Sequence, residues 1–295
     1  MKTKELDYKS AIQELRKIYE YAKQEKNVSQ MMKAHLTRAS LCIDITPDSL
    51  DSELSALKAW MEEEKDTVYQ AILNNLLGYY ILDTGKKDET AIDTAIAYFQ
   101  RSLQDKEMLF RKSAVDYRPM TNSKELSEKY CGDNMYQLLA RQAISRLSGY
   151  FIANPVSAEK IQNEILSIYD GLIDFYRQQG MTDARLLLML DKLHYKGNDV
   201  SRGGVNEKLR LTDEQVITLL KQWAEEFADS PLCGEVYCQL AERYDRMQDY
   251  TAKLKAAQTG LAKYPRSLSA NDLKEQIAEV LTPRLMVEIP FAYPG

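Results

Sequence analysis

The sequence is short of the residues that usually carry chemistry. It has two histidines, His35 and His194, and neither has a second His or a Cys at ligand spacing. No His-Glu-x-x-His occurs, which excludes the common helix-borne zinc hydrolase pattern. The four cysteines, Cys42, Cys131, Cys233 and Cys238, contain no Cys-x-x-Cys pair, so zinc-ribbon and thioredoxin-type motifs are excluded too. An even count permits disulfides in an oxidising compartment, but a chain of 295 residues does not need such staples, and buried free thiols are expected. Gly78, Gly85, Gly203 and Gly204 fit neither the dinucleotide fingerprint nor the phosphate loop, and no Gly-x-Ser-x-Gly elbow occurs.

Excess basic charge is missing as well. The net charge is −5 and the pI near 5.4, whereas nucleic acids and anionic membranes demand clustered Lys and Arg. The partners expected therefore include no nucleic acid. No apolar run approaches the roughly 18 residues of a membrane-spanning helix, so direct membrane insertion by this chain is not expected. The opening "MKTKELDYKSAIQELRK" has no apolar core and no small-residue cleavage site, and is not read as a signal peptide. That leaves a cytosolic protein or one whose leader has been removed.

What is present is helical periodicity. From Leu6 to Tyr21, with Ile12, Leu15, Tyr19 and the following Ala22, apolar residues recur at spacings of three and four. Further segments run over Met31–Ile43, from Pro47 through "PDSLDSELSALKAWMEEE", Thr67–Leu82, Thr90–Leu103, Asn134–Tyr150, Ser157–Arg177 and Thr182–His194. Four more fill Thr212–Val280. Asp48 or Ser49 is the expected N-cap of the third segment. Pro47, Pro119, Pro155, Pro231, Pro265 and Pro283 fall where the periodicity breaks, as expected of a ring that removes a donor. Tyr195–Arg210, with Gly203-Gly204, reads as a mobile surface loop. Period-two alternation appears only in "RLMVEIPFAYPG", with Leu285, Val287 and Ile289 on one side.

Many short helices with no βαβ alternation imply an all-α fold of hairpins packed side by side. The stretch Asp229–Pro265 gives the type. Tyr237, Leu240, Ala241, Tyr244, Tyr250, Gly260 and Pro265 fall at the large and small positions of a tetratricopeptide (TPR) repeat, whose period is about 34 residues. Lys253 stands where such repeats carry a small Ala, and the other hairpins match less well. The expected fold class is thus an α-α superhelix of TPR-like hairpins, irregular rather than strictly periodic. Tyr244 is expected to be substantially buried against the second helix. Tyr79, Tyr80 and Tyr98 are read as packing residues.

The remaining chemical candidates have plain readings. His35 and His194 are expected to be surface or satisfied core residues. Glu62-Glu63-Glu64 is read as a solvated face. Glu225 and Glu226 point in different directions on a helix and make a poor acid–base pair. No catalytic, metal-ligating or cofactor-binding residue is assigned, no cofactor is expected, and the binding face is left open.

Several segments together resemble the N-terminal helical region of the α2-macroglobulin family proteins of Bacteroidetes. They are "KDTVYQAILNNLLGYYI" (Lys65–Ile81), "DNMYQLLARQAI" (Asp133–Ile144), "ARLLLMLDKLHY" (Ala184–Tyr195), "DSPLCGEVYCQLAERY" (Asp229–Tyr244) and "YPRSLSANDLKEQI" (Tyr264–Ile277). The likeness is spread over most of the chain in consistent order and rests on packing residues. It implies a periplasmic or cell-envelope protein of the protease-trapping or protective class, in which a helical array precedes macroglobulin β-sandwich domains. On that footing residues 1–282 are a TPR-like α-solenoid, and 283–295 the truncated start of a following β-sandwich. The function implied is a non-enzymatic interaction or scaffold module. Its partners would be the downstream macroglobulin domains or another envelope protein. The alternative is a free-standing adaptor that binds a peptide or protein in its concave groove. Cys233-Gly234-Glu235 matches the start of that family's Cys-Gly-Glu-Gln thioester, but Val236 has no side-chain carbonyl to offer. A cysteine at a helix start can have a lowered pKa, yet an ordinary packed thiol is expected.

Overall fold

The computed structural model describes residues 2–45, 47–84, 89–117, 128–153, 158–197 and 211–282. All regular structure among them is helical. The elements are α1 (Lys2–Gln24), α2 (Val28–Ile45), α3 (Pro47–Glu63), α4 (Thr67–Thr84), α5 (Glu89–Ser102), α6 (Lys106–Phe110), a 3₁₀ turn (Val115–Tyr117), α7 (Glu128–Cys131), α8 (Met135–Ala153), α9 (Ala158–Gln178), α10 (Thr182–Gly197), α11 (Asp213–Glu226), α12 (Cys233–Arg246), α13 (Tyr250–Lys263) and α14 (Ala270–Leu281).

The all-α expectation is met, with three local differences. Helix α3 begins at Pro47 itself, so Asp48 and Ser49 lie in its first turn and are not N-caps. Proline suits that position because its missing N–H would have had no partner there. Helix α10 runs to Gly197, so Tyr195 and Lys196 are helical; the rest of the expected loop lies outside the described residues, as does the strand-like tail 283–295. Helices α6 and α7 are too short to show periodicity in the sequence.

One turn geometry recurs at three hairpins. Lys26, Gly180 and Gln248 each adopt a left-handed backbone, with φ of 55°, 68° and 60°. In each, the next N–H donates to the carbonyl five residues back: Asn27 to Ala22 at 2.8 Å, Met181 to Tyr176 at 3.0 Å and Asp249 to Tyr244 at 2.9 Å. These bonds close the carbonyls left open at a helix end. Asn27 and Asp249 then cap the following helix by accepting from the N–H of Gln30 at 3.1 Å and Ala252 at 2.9 Å. Only Gly180 announces such a turn by residue type.

The described residues form two compact units divided inside α9, the first taking the helices up to Leu172 and the second the residues from Ile173 on. In the first, α1 to α5 pack each on the next, and α4 also meets α8. Helix α4 is apolar on all sides, which fits a helix covered from several directions: Val68, Ala71, Ile72, Leu73, Leu77, Tyr80 and Leu82 are all buried. Gly78 lets α5 approach closely, since a Cβ there would sit 3.0 Å from the Phe99 ring and 3.1 Å from the Ala95 carbonyl. The buried Asn75 side-chain amide donates to Ser102 Oγ at 3.2 Å and the Leu139 carbonyl at 3.1 Å, tying α4 to α5 and α8. Asn134 caps α8 by accepting from Gln137 N–H at 2.9 Å.

In the second unit, α11 starts with a reciprocal capping box between Thr212 and Gln215. Helices α12, α13 and α14 then pack mutually. Leu240, Ala241 and Gly260 are buried. Gly260 faces Tyr237 so closely that an added Cβ would lie 2.5 Å from Tyr237 Cβ. Glu235 reaches from α12 to the start of α14, accepting from Ser269 N–H at 2.8 Å and from its hydroxyl. Lys253 is buried, and its ammonium donates to Asp245 and Glu279, both at 2.8 Å. The long side chain is accommodated because its charged end meets one carboxylate from each neighbouring helix. Burial alone would lower its pKa, but those two hydrogen bonds outweigh that and raise it.

The expectation for Tyr244 is corrected, and Tyr250 also lies outside the core. Tyr250 is 51% exposed and not packed inside. Tyr244 is half-buried, and its ring faces Lys221 of α11, whose ammonium lies 5.9 Å from the centroid. Tyr244→Ala is therefore expected to cost about 1 kcal/mol, not the roughly 3 kcal/mol of a buried ring. A urea-midpoint shift corresponding to the larger value would place the ring inside the hairpin after all.

Candidate functional site

The structure gives the sequence candidates ordinary roles, with one exception. All four cysteines are free and buried. Cys233 opens α12, but burial pushes its thiol pKa up, and its Sγ lies 3.7 Å from the Ala224 carbonyl. Cys238 is pushed up to about 12, mainly by burial. These thiols are poor nucleophiles, since reactivity follows the thiolate. His194 is exposed. Glu62 and Glu63 are exposed, as expected of a solvated face, and Glu63 pairs with Lys23 at 3.3 Å. Glu64 is not simply solvated: it accepts from the Lys65 and Asp66 N–H groups at 2.9 and 3.0 Å, shaping the entry to α4. Glu226 pairs with Arg185 at 2.6 Å. Tyr80 is buried, whereas Tyr79 and Tyr98 are half-buried under Arg146 and Arg101. Among the described residues no cluster of His, Cys, Asp and Glu could hold a metal, and no helix is long and apolar enough to cross a membrane.

The exception is His35, which is 1% exposed and belongs to a polar cluster inside the first unit. Arg38, one turn along α2, places its Nη2 3.5 Å from His35 Nδ1. Glu53 of α3 places Oε1 2.6 Å from Arg38 Nε and Oε2 3.4 Å from His35 Nδ1. Tyr19 of α1 lies under the Arg38 guanidinium at 5.3 Å, and Trp60 meets Tyr19 edge-on at 6.0 Å. Tyr80 of α4 meets the His35 ring edge-on at 6.4 Å. The other ring nitrogen, Nε2, is buried with no hydrogen-bond partner. Burial, with Arg38 adding to it, lowers the His35 pKa to about 4. The sequence signals this cluster only weakly: His35 and Arg38 share a helix face, but nothing marks Glu53 as their partner.

Two groups of exposed apolar residues stand out. In the first unit Ile18 and Tyr21 line an open cleft of about 470 Å³ beside the α1–α2 turn. In the second, the Lys253 bridge gathers the end of α12, the start of α13 and the end of α14 at one end of the three-helix layer. Met247, Tyr250 and Leu281 emerge there, 43%, 51% and 60% exposed. Helix α14 carries an apolar stripe of Leu273, Ile277, Val280 and Leu281, of which Leu273 alone is buried.

Comparison with known proteins returns no match to this chain from any family model, curated protein or solved structure.

Proposed function

We propose that this chain is a non-enzymatic protein-interaction module whose binding surface is the open end of its second unit. One observation carries the reading: Met247, Tyr250 and Leu281 stand exposed beside the half-covered stripe of α14. TPR-like hairpins bury their apolar faces against neighbours, and an α14 face half-covered among the described residues suits association with another protein segment. The buried thiols agree with a binding role, since they offer no activated nucleophile.

The partner class follows from the family resemblance of the quoted segments. It places the module at the front of a macroglobulin-like envelope protein, in the periplasm or cell envelope, with downstream macroglobulin domains or an envelope protein on this surface. The alternative, a free-standing adaptor, differs in the reading frame. A leader before this segment and β-sandwich sequence after it are expected under the first reading. If both are found, titration calorimetry should show the purified chain binding the downstream segment. A Met247→Ser, Tyr250→Ser, Leu281→Ser variant should weaken that binding at least about tenfold, as loss of clustered interface anchors does. Binding unchanged by the triple substitution would remove the surface from consideration. A frame without β-sandwich sequence would favour the adaptor, and turnover in a hydrolase panel would exclude both.

A further inference from the structure

We propose that the His35–Arg38–Glu53 cluster is an acid-sensitive lock, in which a proton added to His35 loosens the packing of α1, α2 and α3. The geometry is balanced for a neutral imidazole. One guanidinium faces one carboxylate at 2.6 Å, and all three side chains are 7% exposed or less. A second positive charge makes two cations compete for Glu53, in a place where water cannot screen them. With Nδ1 accepting from Arg38, the added proton goes to Nδ1, where it displaces that contact and brings a second cation against the guanidinium.

Among the described side chains, the groups facing His35 offer one carboxylate, which it would have to share with Arg38. Its own helix contributes Arg38 and, further along, Cys42. Helix α1 contributes Tyr19 over Arg38, with Arg16 close enough to act on Cys42. Among the described side chains, helix α3 contributes Glu53, whose Oε1 faces Arg38 and whose Oε2 lies 3.4 Å from His35 Nδ1, and α4 contributes Tyr80, whose phenol burial keeps protonated. If Arg38 moves away from the new charge, Tyr19 loses its cation and Trp60 its edge-on neighbour, which carries the disturbance into α1 and α3.

The direction of the pH effect follows from the folded pKa lying below the ordinary value of 6.5. The open or unfolded state takes up the proton first. Closed-state stability is therefore complete above about pH 6.5 and is lost as pH falls from there toward 4. A one-proton linkage over that interval raises the open-to-closed ratio about twentyfold between pH 7 and 5. Because the chain has only two histidines, the assignment can be tested cleanly.

Hydrogen exchange of the α1–α3 amides, corrected for the intrinsic pH dependence, should report that twentyfold change in the full chain. His194→Gln should retain it, and His35→Gln should abolish it. A ratio constant between pH 7 and 5, or the same slope in His35→Gln, overturns the proposal. Should His35→Gln fail to fold, the single imidazole of His194→Gln can be titrated directly by NMR. A midpoint below 5 supports the lock, and a midpoint at or above 6 overturns it.

Discussion

Glu53→Ala is expected to destabilise the first unit by about 3–5 kcal/mol, the usual consequence of removing one member of a buried ion pair. The loss is not mainly that of an attraction. The substitution leaves the Arg38 guanidinium 6% exposed with no carboxylate and no water to replace it. Removing both charges together should cost much less, so Arg38→Met with Glu53→Leu is expected to recover most of the stability. The two tryptophans make the measurement local, because Trp60 belongs to the first unit and Trp223 to the second. With Trp223 replaced by Phe, urea unfolding followed by fluorescence reports the first unit alone. A shift worth less than about 1 kcal/mol would mean that Arg38 reaches solvent or another partner, which its burial does not predict.

Gly260→Ala should be unusually damaging for so small a substitution. In the middle of an isolated helix, Gly to Ala gains about 1 kcal/mol, because alanine restricts the unfolded chain and suits the helix. Here the added methyl would lie 2.5 Å from Tyr237 Cβ and 3.2 Å from Leu273. A Cβ is fixed by its backbone, so α12 or α13 must shift, and the net expectation is a loss of about 1–3 kcal/mol. Gly149 in α8 is the control, since a Cβ there meets nothing within 4 Å. Gly149→Ala should be neutral or stabilising by up to about 1 kcal/mol. Urea midpoints for the two variants should therefore move in opposite directions, and a stabilised Gly260→Ala would disprove the close approach of α12 and α13.

These expectations differ in how far they could have been read from the sequence. Gly260 falls at a small position of a repeat-like hairpin, which suggests a close approach there, though not its partner Tyr237. Lys253 departs from the same pattern, and local sequence offers no reason for its tolerance. The reason is spatial: Glu279 lies 26 residues away and meets it only when α14 packs on α13. The left-handed turns at Lys26 and Gln248 were hidden for a related reason. Lys and Gln carry no conformational signature, and the closing hydrogen bonds compensate for an unfavourable φ.

By itself the sequence determined the longer helices, most of their limits and the burial of the thiols. Each of these depends on periodicity, capping or composition within a single segment, and such properties survive reading along one dimension. It also marked Tyr237 and Gly260 as a large and a small position of one hairpin; that the two meet is a finding of the structure. Tertiary structure alone decided which polar residues became partners. His35 and Glu53 lie on different helices, as do Asn75 and Leu139, and Lys253 and Glu279; each pair meets through packing that no local pattern specifies. It also decided that Tyr250 and Leu281 stay exposed while similar residues are covered. Exposure depends on which neighbours close over a face, and a single segment does not carry that information.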